Sequence, residues 1–261
     1  MYQHLRRLAV STYHRLRLEG GSLKSYLTVE GHCPICEQEV IFSSKLEWLR
    51  DHFFCSGCGS IPRERALMQV IKDYYPNYKF LKIHESSPGG RGTSVKLRNE
   101  CPGYSSSHFY PDLELGKTHA AHGHRCENLE CLTFEDNEFD LFITQDVMEH
   151  IYDPEKAFRE ISRVLRPGGA HIFTVPIINK CNKTERWASL GEDGKPVFLH
   201  EPEYHGNPID PEGSPVTMHW GYDIAGYIMS ASGMPTSIIM IDDLTAGIRA
   251  EFIDVVLSKA L

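Results

Sequence analysis

The chain has 261 residues, 41% hydrophobic and 24% charged, which is ordinary globular usage and excludes fibrous, mucin-like or wholly disordered chains. Its net charge of −8 is uneven: residues 1–78 carry ten Lys and Arg against eight Asp and Glu, the remainder 17 against 27. Such acidity argues against neutralising phosphates over a wide surface, so no nucleic-acid partner is expected. No run approaches the ~18 apolar residues of a membrane span, and the N-terminus lacks the apolar segment of a signal peptide, so a cytoplasmic protein is expected.

Residues 1–30 read as a basic amphipathic helix and a connector. Two CxxC knuckles follow, Cys33-Pro-Ile-Cys36 and Cys55-Ser-Gly-Cys58, separated by the 18 residues 37–54. This spacing suits one zinc ion held by four thiolates, a closed tetrahedron with no position for water and therefore a structural site. The metal stands in for a core that so short a segment cannot build. Between the knuckles, residues 39–42 through Trp48 and Leu49 predict a short hairpin. Ser60-Ile61-Pro62 then opens a helix, with Ser60 as N-cap, Pro62 in the first turn and Leu67, Val70 and Ile71 on its apolar face. The zinc-binding module and linking helix are placed at 31–77. Cys101, Cys126, Cys131 and Cys181 lack ligand spacing and read as ordinary small apolar residues.

From residue 78 strands alternate with helices, the pattern of a mostly parallel sheet. Strands are predicted at 79–84, 104–110, 139–144, 171–176, 236–241 and 252–257, the last two pairing as an antiparallel edge. A helix capped by Asp153-Pro154 should end at Gly168-Gly169, and another should run over 223–232. Residues 177–221 form a long insertion rich in histidine and aromatic residues, which reads as a lid over the mouth of the sheet.

Phe139-Asp140 through Glu149-His150, with Leu165-Arg166-Pro167-Gly168-Gly169, resembles the FD…EH…LxPGG signature of class I S-adenosylmethionine-dependent methyltransferases acting on small molecules. Asn128-Leu129-Glu130-Cys131-Leu132-Thr133-Phe134 resembles the adenine-contacting segment of that branch, and the resemblance covers residues 78–260 in order. It implies an α/β fold, a doubly wound, mostly parallel seven-stranded Rossmann-like sheet, beside a small N-terminal zinc-ribbon-like module. It implies S-adenosylmethionine as cofactor, bound by Glu85, Ser86, Gly89 and Gly90 after the first strand, Ser107 and His108 after the second, Asn128 and Leu129 at adenine, and Gln145 and Asp146 after the fourth. Two positions depart from the family: the glycines of the first turn come late, and Asn128 stands where Asp is typical.

Methyl transfer to a hydroxyl or ammonium acceptor needs a base near neutral pH, which suits histidine. His150, at the fourth strand's mouth, and His205, in the lid, are the candidates, followed by His200 and His219. The segment from Asp146 to His150 also resembles the E-x-x-E-H cluster that binds a divalent metal in some quinone-pathway methyltransferases, through Asp146, Glu149 and His150. The expected acceptor is a small or carrier-linked metabolite, with a sugar hydroxyl as one option. The alternatives are a zinc-ribbon RNA methyltransferase, against which the acidic charge and the missing N/D-P-P-[FYW] motif count, and a non-catalytic binding protein with a degenerate first turn.

Overall fold

The structure, a computed structural model, describes residues 25–207, 209–250 and 253–261. The helix expected near the N-terminus lies outside these residues as far as 24, but its connector becomes a strand. In Leu27–His32 (β1) the side chains alternate between half-buried and exposed, with Leu27 and Val29 inward. This strand pairs antiparallel with Glu39–Ser44 (β2), which pairs in turn with Phe54–Cys55 (β3). The hairpin therefore straddles the first knuckle instead of lying between the two. Trp48 and Leu49 lead into a single helical turn, Leu49–His52 (α1).

Helix α2 spans Pro62–Tyr74, with Pro62 in its first turn as expected. Its N-cap is Ile61, not Ser60, because the Glu64 carboxylate reaches back to accept the Ile61 N–H at 3.0 Å. Ser60 is instead turned toward Cys58 Sγ and Arg65 Nη1, each 3.2 Å from its Oγ.

The main sheet begins at Ile83–Ser86 (β4), later than expected, since Tyr78–Phe80 is a 3₁₀ turn. Gly92–Glu100 (α3), Tyr104–His108 (β5), Arg125–Cys126 (β6) and Phe139–Gln145 (β7) follow. Pro154–Val164 (α4) is capped by Asp153, whose side chain accepts from Lys156 N. The helix stops at Val164, and the Pro-Gly-Gly run expected to end it lies inside the next strand, Leu165–Thr174 (β8). A Cβ on Gly169 would stand 2.7 Å from the Asp140 carbonyl oxygen, so the glycine is what lets β8 close on β7 at an irregularity in their ladder.

The insertion folds as six short strands: Glu185–Arg186 (β9), Ala188–Leu190 (β10), Pro196–Phe198 (β11), Tyr204–His205 (β12), Ser214–Pro215 (β13) and Met218–His219 (β14). They pair as three antiparallel ladders, β9 with β14, β10 with β11 and β12 with β13. Thr217 donates from N and Oγ1 to the Glu149 carbonyl, and the fully buried Trp220 donates to the Met148 carbonyl. These bonds fasten the lid to the turn after β7.

Ile224–Ser232 (α5), ended by Gly233 at φ +77°, leads to Thr236–Met240 (β15) and Asp254–Lys259 (β16). The sheet order is β15-β16-β8-β7-β4-β5-β6. The last strand pairs antiparallel with both β15 and β8, so it sits inside the sheet and the edge is β15. Burial explains the placement: residues 254–258 are all buried, whereas β15 is half-exposed along its length. Strands β4 and β7 lie side by side and parallel, while the chain runs from β4 outward through β5 and β6, so the switch point falls between β4 and β7.

One apolar core is shared by residues on either side of position 77. Phe42, Phe53, Leu67 and Ile71 pack in the same cluster as Leu141, Ile143, Ile172 and Val255. Arg65, fully buried beneath the Phe42 ring, joins the two parts: it donates to the Gly247 carbonyl at 2.6 and 3.1 Å, to the Phe53 carbonyl at 2.8 Å, and to the Ser60 carbonyl. Gly247 sits at φ +66°, and a Cβ there would meet the Phe42 ring at 2.5 Å. Gly247→Ala combines a left-handed backbone, costing ~1–2 kcal/mol, with overpacking, costing ~1–3 kcal/mol. Urea unfolding should therefore show a loss of at least about 2 kcal/mol, with module and sheet still melting together; an unchanged midpoint would mean that the contact does not form.

Candidate active site

The carboxyl ends of β4, β5 and β7 open into one cleft of 1370 Å³, roofed by the lid and walled on one side by the cysteine module. This exceeds the ~300–1,000 Å³ of a single small-molecule pocket and leaves room for two ligands side by side.

At the β4 end the cleft is lined by Ser86 through Arg91. Ser87 holds φ +57° at a position where the family motif has glycine, and a Cβ on Gly90 would meet nothing within 4 Å. Glu85 is fully buried and does not line the cleft. Its carboxylate accepts from Ser94 Oγ at 2.7 Å, Tyr104 Oη at 2.8 Å and Gln145 Nε2 at 2.8 Å. Burial pushes its pKa up against those three bonds. The structure thus gives Glu85 the task of orienting Gln145. With Nε2 committed to Glu85 and Ser94, Gln145 turns Oε1 away, and this buried oxygen has no hydrogen-bond partner among the described residues.

After β5, Ser107 is fully buried against His84 and does not line the cleft, whereas His108, Phe109, Asn128 and Leu129 do. Burial, then the neighbouring His124 and His122, lowers His108 to about 4, so it is neutral at pH 7. Asn128 Oδ1 accepts the Glu130 N–H at 2.9 Å and shapes the turn. Buried Cys101 and Cys126 behave as small apolar residues, but Cys131 and Cys181 are exposed.

Asp146 has been taken up by the module. At φ +53° it forms a two-pronged pair with Arg50, Nη1 to Oδ2 and Nη2 to Oδ1, both 2.8 Å. Arg63 Nε lies 3.2 Å from the same carboxylate, and Thr174 Oγ1 donates to it at 3.0 Å. Burial alone would raise the Asp146 pKa, but Arg50 and Arg63 outweigh it and hold the group well below the usual carboxylate range. Sequence reasoning missed Arg50 because it is 96 residues from its partner and belongs to no motif.

Across the cleft, Glu149, His150 and His205 gather, each offering one ligand atom within 4.8 Å of the others. The His150 and His205 rings meet edge-on at 5.1 Å. Glu203 accepts from His205 Nε2 at 3.2 Å and from His219 Nε2 at 3.1 Å, and these two hydrogen bonds depress its pKa. Trp187 is stacked between His219 and His200, at 3.7 and 4.1 Å. The lid therefore brings His205 to His150, while His200 belongs to an outer stack.

Cys33, Cys36, Cys55 and Cys58 converge in the module, with their sulfur atoms within 4.8 Å of one another. The pairs Cys33–Cys58 and Cys36–Cys55 are each 3.8 Å apart. Ligands at ~2.3 Å on a tetrahedron are separated by about 3.8 Å, so the spacing fits zinc.

Residues 109–173 match the family described as Methyltransferase domain. Over 86 residues, 31% of this chain, the sequence is 24% identical to a ubiquinone biosynthesis O-methyltransferase of Coxiella burnetii, covering 36% of that protein. Over 48 residues, 18% of this chain, it is 48% identical to a sarcosine/dimethylglycine N-methyltransferase of Halorhodospira halochloris, covering 17% of that protein. The chain thus spans about a third or less of the length of these curated relatives. Among solved structures it is similar to an S-adenosylmethionine-dependent methyltransferase from Mesorhizobium loti, with TM-score 0.46, 16% identity and coverage of 74% of this chain and 97% of that one. Over residues 109–173 the chain carries a methyltransferase domain. No described helix is long and apolar enough to cross a membrane.

Asp146→Asn leaves the buried Arg50 with only the longer contact to Asp51, at 3.5 Å, and should cost about 3 kcal/mol of folding stability. Arg50→Met should cost less, because Arg63 remains beside Asp146. In the double variant neither change adds its full cost, since the pair is removed together. Urea unfolding of the four proteins gives the coupling, and strictly additive losses would contradict the pairing. Because the folded pKa of Asp146 is depressed, its contribution is complete above the unfolded value of ~3.9 and fades as pH falls below it.

Proposed function

We propose that this protein transfers the methyl group of S-adenosylmethionine to a small or carrier-linked acceptor, at a hydroxyl oxygen such as that of a sugar. The observation that carries the reading is one cleft with two unlike ends: an open turn and an orphaned amide oxygen at the switch point, and a carboxylate–histidine cluster opposite. Gln145 Oε1 suits the ammonium of the cofactor's methionine part, because a buried acceptor without a donor is costly until one arrives. The turn from Ser86 to Gly90 gives backbone access to the same part. His108, Asn128 and Leu129 lie on the side that ribose and adenine would occupy. When bound, the cofactor supplies an electrophilic methyl group on sulfonium.

The acceptor belongs beside His150 and His205. Neutral histidine removes a proton near pH 7 and stabilises the developing alkoxide as the methyl–oxygen bond forms. The lid keeps water from competing for the methyl group. The four cysteines hold one structural zinc, so elemental analysis should find about one zinc per chain, as one four-cysteine site requires.

Calorimetry with S-adenosylmethionine should show one site. Gln145→Ala should weaken it about tenfold, the ~1.4 kcal/mol expected when a hydrogen bond to a charged group is lost. An activity screen over sugar nucleotides, small phenols and RNA then identifies the acceptor. His150→Ala and His205→Ala should cut turnover about 10²–10⁴-fold while cofactor affinity stays near normal. A wild-type chain that binds no cofactor would overturn the reading, and one that methylates only RNA would overturn its choice of acceptor.

A further inference from the structure

We infer that Arg63 and Arg91 form a binding site for the phosphate groups of a phosphorylated acceptor, and that the cysteine module thereby takes part in acceptor recognition. The site follows from how charge is distributed along the cleft. Among the described residues, Arg50, Arg63 and Arg91 line it and no lysine does; Arg50 and Arg63 come from the module, and Arg91 is packed against it. Glu149, Glu201 and Glu203 line the lid side. Arg50 is committed to Asp146 through both terminal nitrogens. The other two arginines are held differently. Arg63 is tethered by Nε, 3.2 Å from Asp146 and 3.4 Å from Asp51. Arg91 is tethered by Nε, 3.0 Å from Glu64, with its guanidinium 5.8 Å from the centre of the Phe54 ring.

In both, the inner nitrogen is occupied, while the two terminal nitrogens make no hydrogen bond among the described residues. Both side chains keep solvent access, 21% exposed for Arg63 and 44% for Arg91. A guanidinium fixed at Nε has lost much of its freedom to swing away, so its terminal fork is preorganised, and that fork matches the paired oxygens of a phosphate. Asp51, Glu64 and Asp146 balance the three arginine charges, so the wall selects by donor geometry and not by net charge.

Two anions come within reach of this wall, the cofactor's carboxylate and an anionic group on the acceptor. The first has donors of its own: the N–H groups of Gly90 and Arg91 make no hydrogen bond among the described residues, and helix α3 starts at Gly92, where its free N–H groups favour an anion. Arg91, the most exposed of the three arginines, stands at the end of that turn and meets a ligand that enters after the cofactor. Four terminal nitrogens also exceed what one carboxylate takes up, and suit the two phosphates of a diphosphate ester. An acceptor with its diphosphate at the module and its hydroxyl at His150 and His205 would lie along the cleft, its anionic end away from the lid carboxylates. The proposal rests on the methyl-transfer reading for its acceptor, which it narrows to phosphorylated compounds such as nucleoside-diphosphate sugars; anion binding itself does not depend on that reading.

The test is calorimetric titration of the full chain with inorganic pyrophosphate, alone and saturated with S-adenosylhomocysteine. The result expected is one pyrophosphate per chain in both states. Arg63→Ala and Arg91→Ala should each weaken it about tenfold or more, and Arg63→Lys, which keeps the charge and loses the fork, should not restore it. Arg91 makes no contact with Asp146, so its variant stays informative if Arg63→Ala misfolds. The cofactor's carboxylate is separated by a second pair of titrations, with S-adenosylhomocysteine and with 5′-methylthioadenosine, which lacks the amino-acid part; the variants should bind both as the parent does. A selective loss of S-adenosylhomocysteine binding would assign the arginines to the cofactor and overturn the proposal, as would pyrophosphate that fails to bind the saturated chain or binds the folded variants unchanged. Pyrophosphate binding by a chain that binds no S-adenosylmethionine would leave the anion site standing and remove the methyl-transfer reading.

Discussion

The paired hydrogen bonds between Arg50 and Asp146 set the position of everything at the mouth of the sheet. Asp146 is the residue at which β7 turns, and its left-handed backbone sends the following turn toward the lid. Its carboxylate is fixed from one side by the cysteine module and from the other by Thr174 at the end of β8. The buried Asp146 is compensated by Arg50 and Arg63, both from the module, so module and sheet separate only at high cost. Arg65 and the shared apolar core reinforce that docking from beneath. The module is consequently a wall of the cleft, to which it contributes Trp48, Arg50, Asp51 and Arg63.

Four acidic residues around this cleft differ in role because their neighbours differ. Asp146 faces arginines and is an anchor. Glu85 faces hydroxyls and an amide and serves as a fixed acceptor that orients Gln145. Glu203 faces two histidines from the lid side and sets their tautomers. Glu149, three residues beyond Asp146, faces His150 and His205 and has no hydrogen-bond partner among the described residues. The division of labour follows from the partners each fold element delivers, not from the carboxylates themselves.

Features carried by local pattern could be read from the sequence. The CxxC spacing placed four sulfurs that do converge, and the strand–helix alternation anticipated a mostly parallel sheet. What escaped depends on long-range partners. Residues 27–30 look like a connector until β2 is available to pair with them. The last two strands do pair antiparallel at one edge, as expected, but that β16 also pairs with β8 shows only in its burial. Asp146 and Glu85 sit in the right motifs for ligand contact, yet distant donors claim them, from 96 residues away for Arg50 and 60 for Gln145. No periodicity encodes such pairings. The late glycines of the first turn did have a readable consequence, since Ser87 occupies the left-handed position where the family uses glycine.

Module and sheet line one cleft, and the four cysteines lie in the part that forms its wall. The most direct measurement is S-adenosylmethionine affinity before and after the cysteine-bound metal is displaced with a thiol-reactive mercurial and a chelator. Release of one zinc per chain, the content of one four-cysteine site, should be accompanied by loss of cofactor binding. Unchanged affinity in the zinc-free chain would contradict it and would make the module an independent appendage.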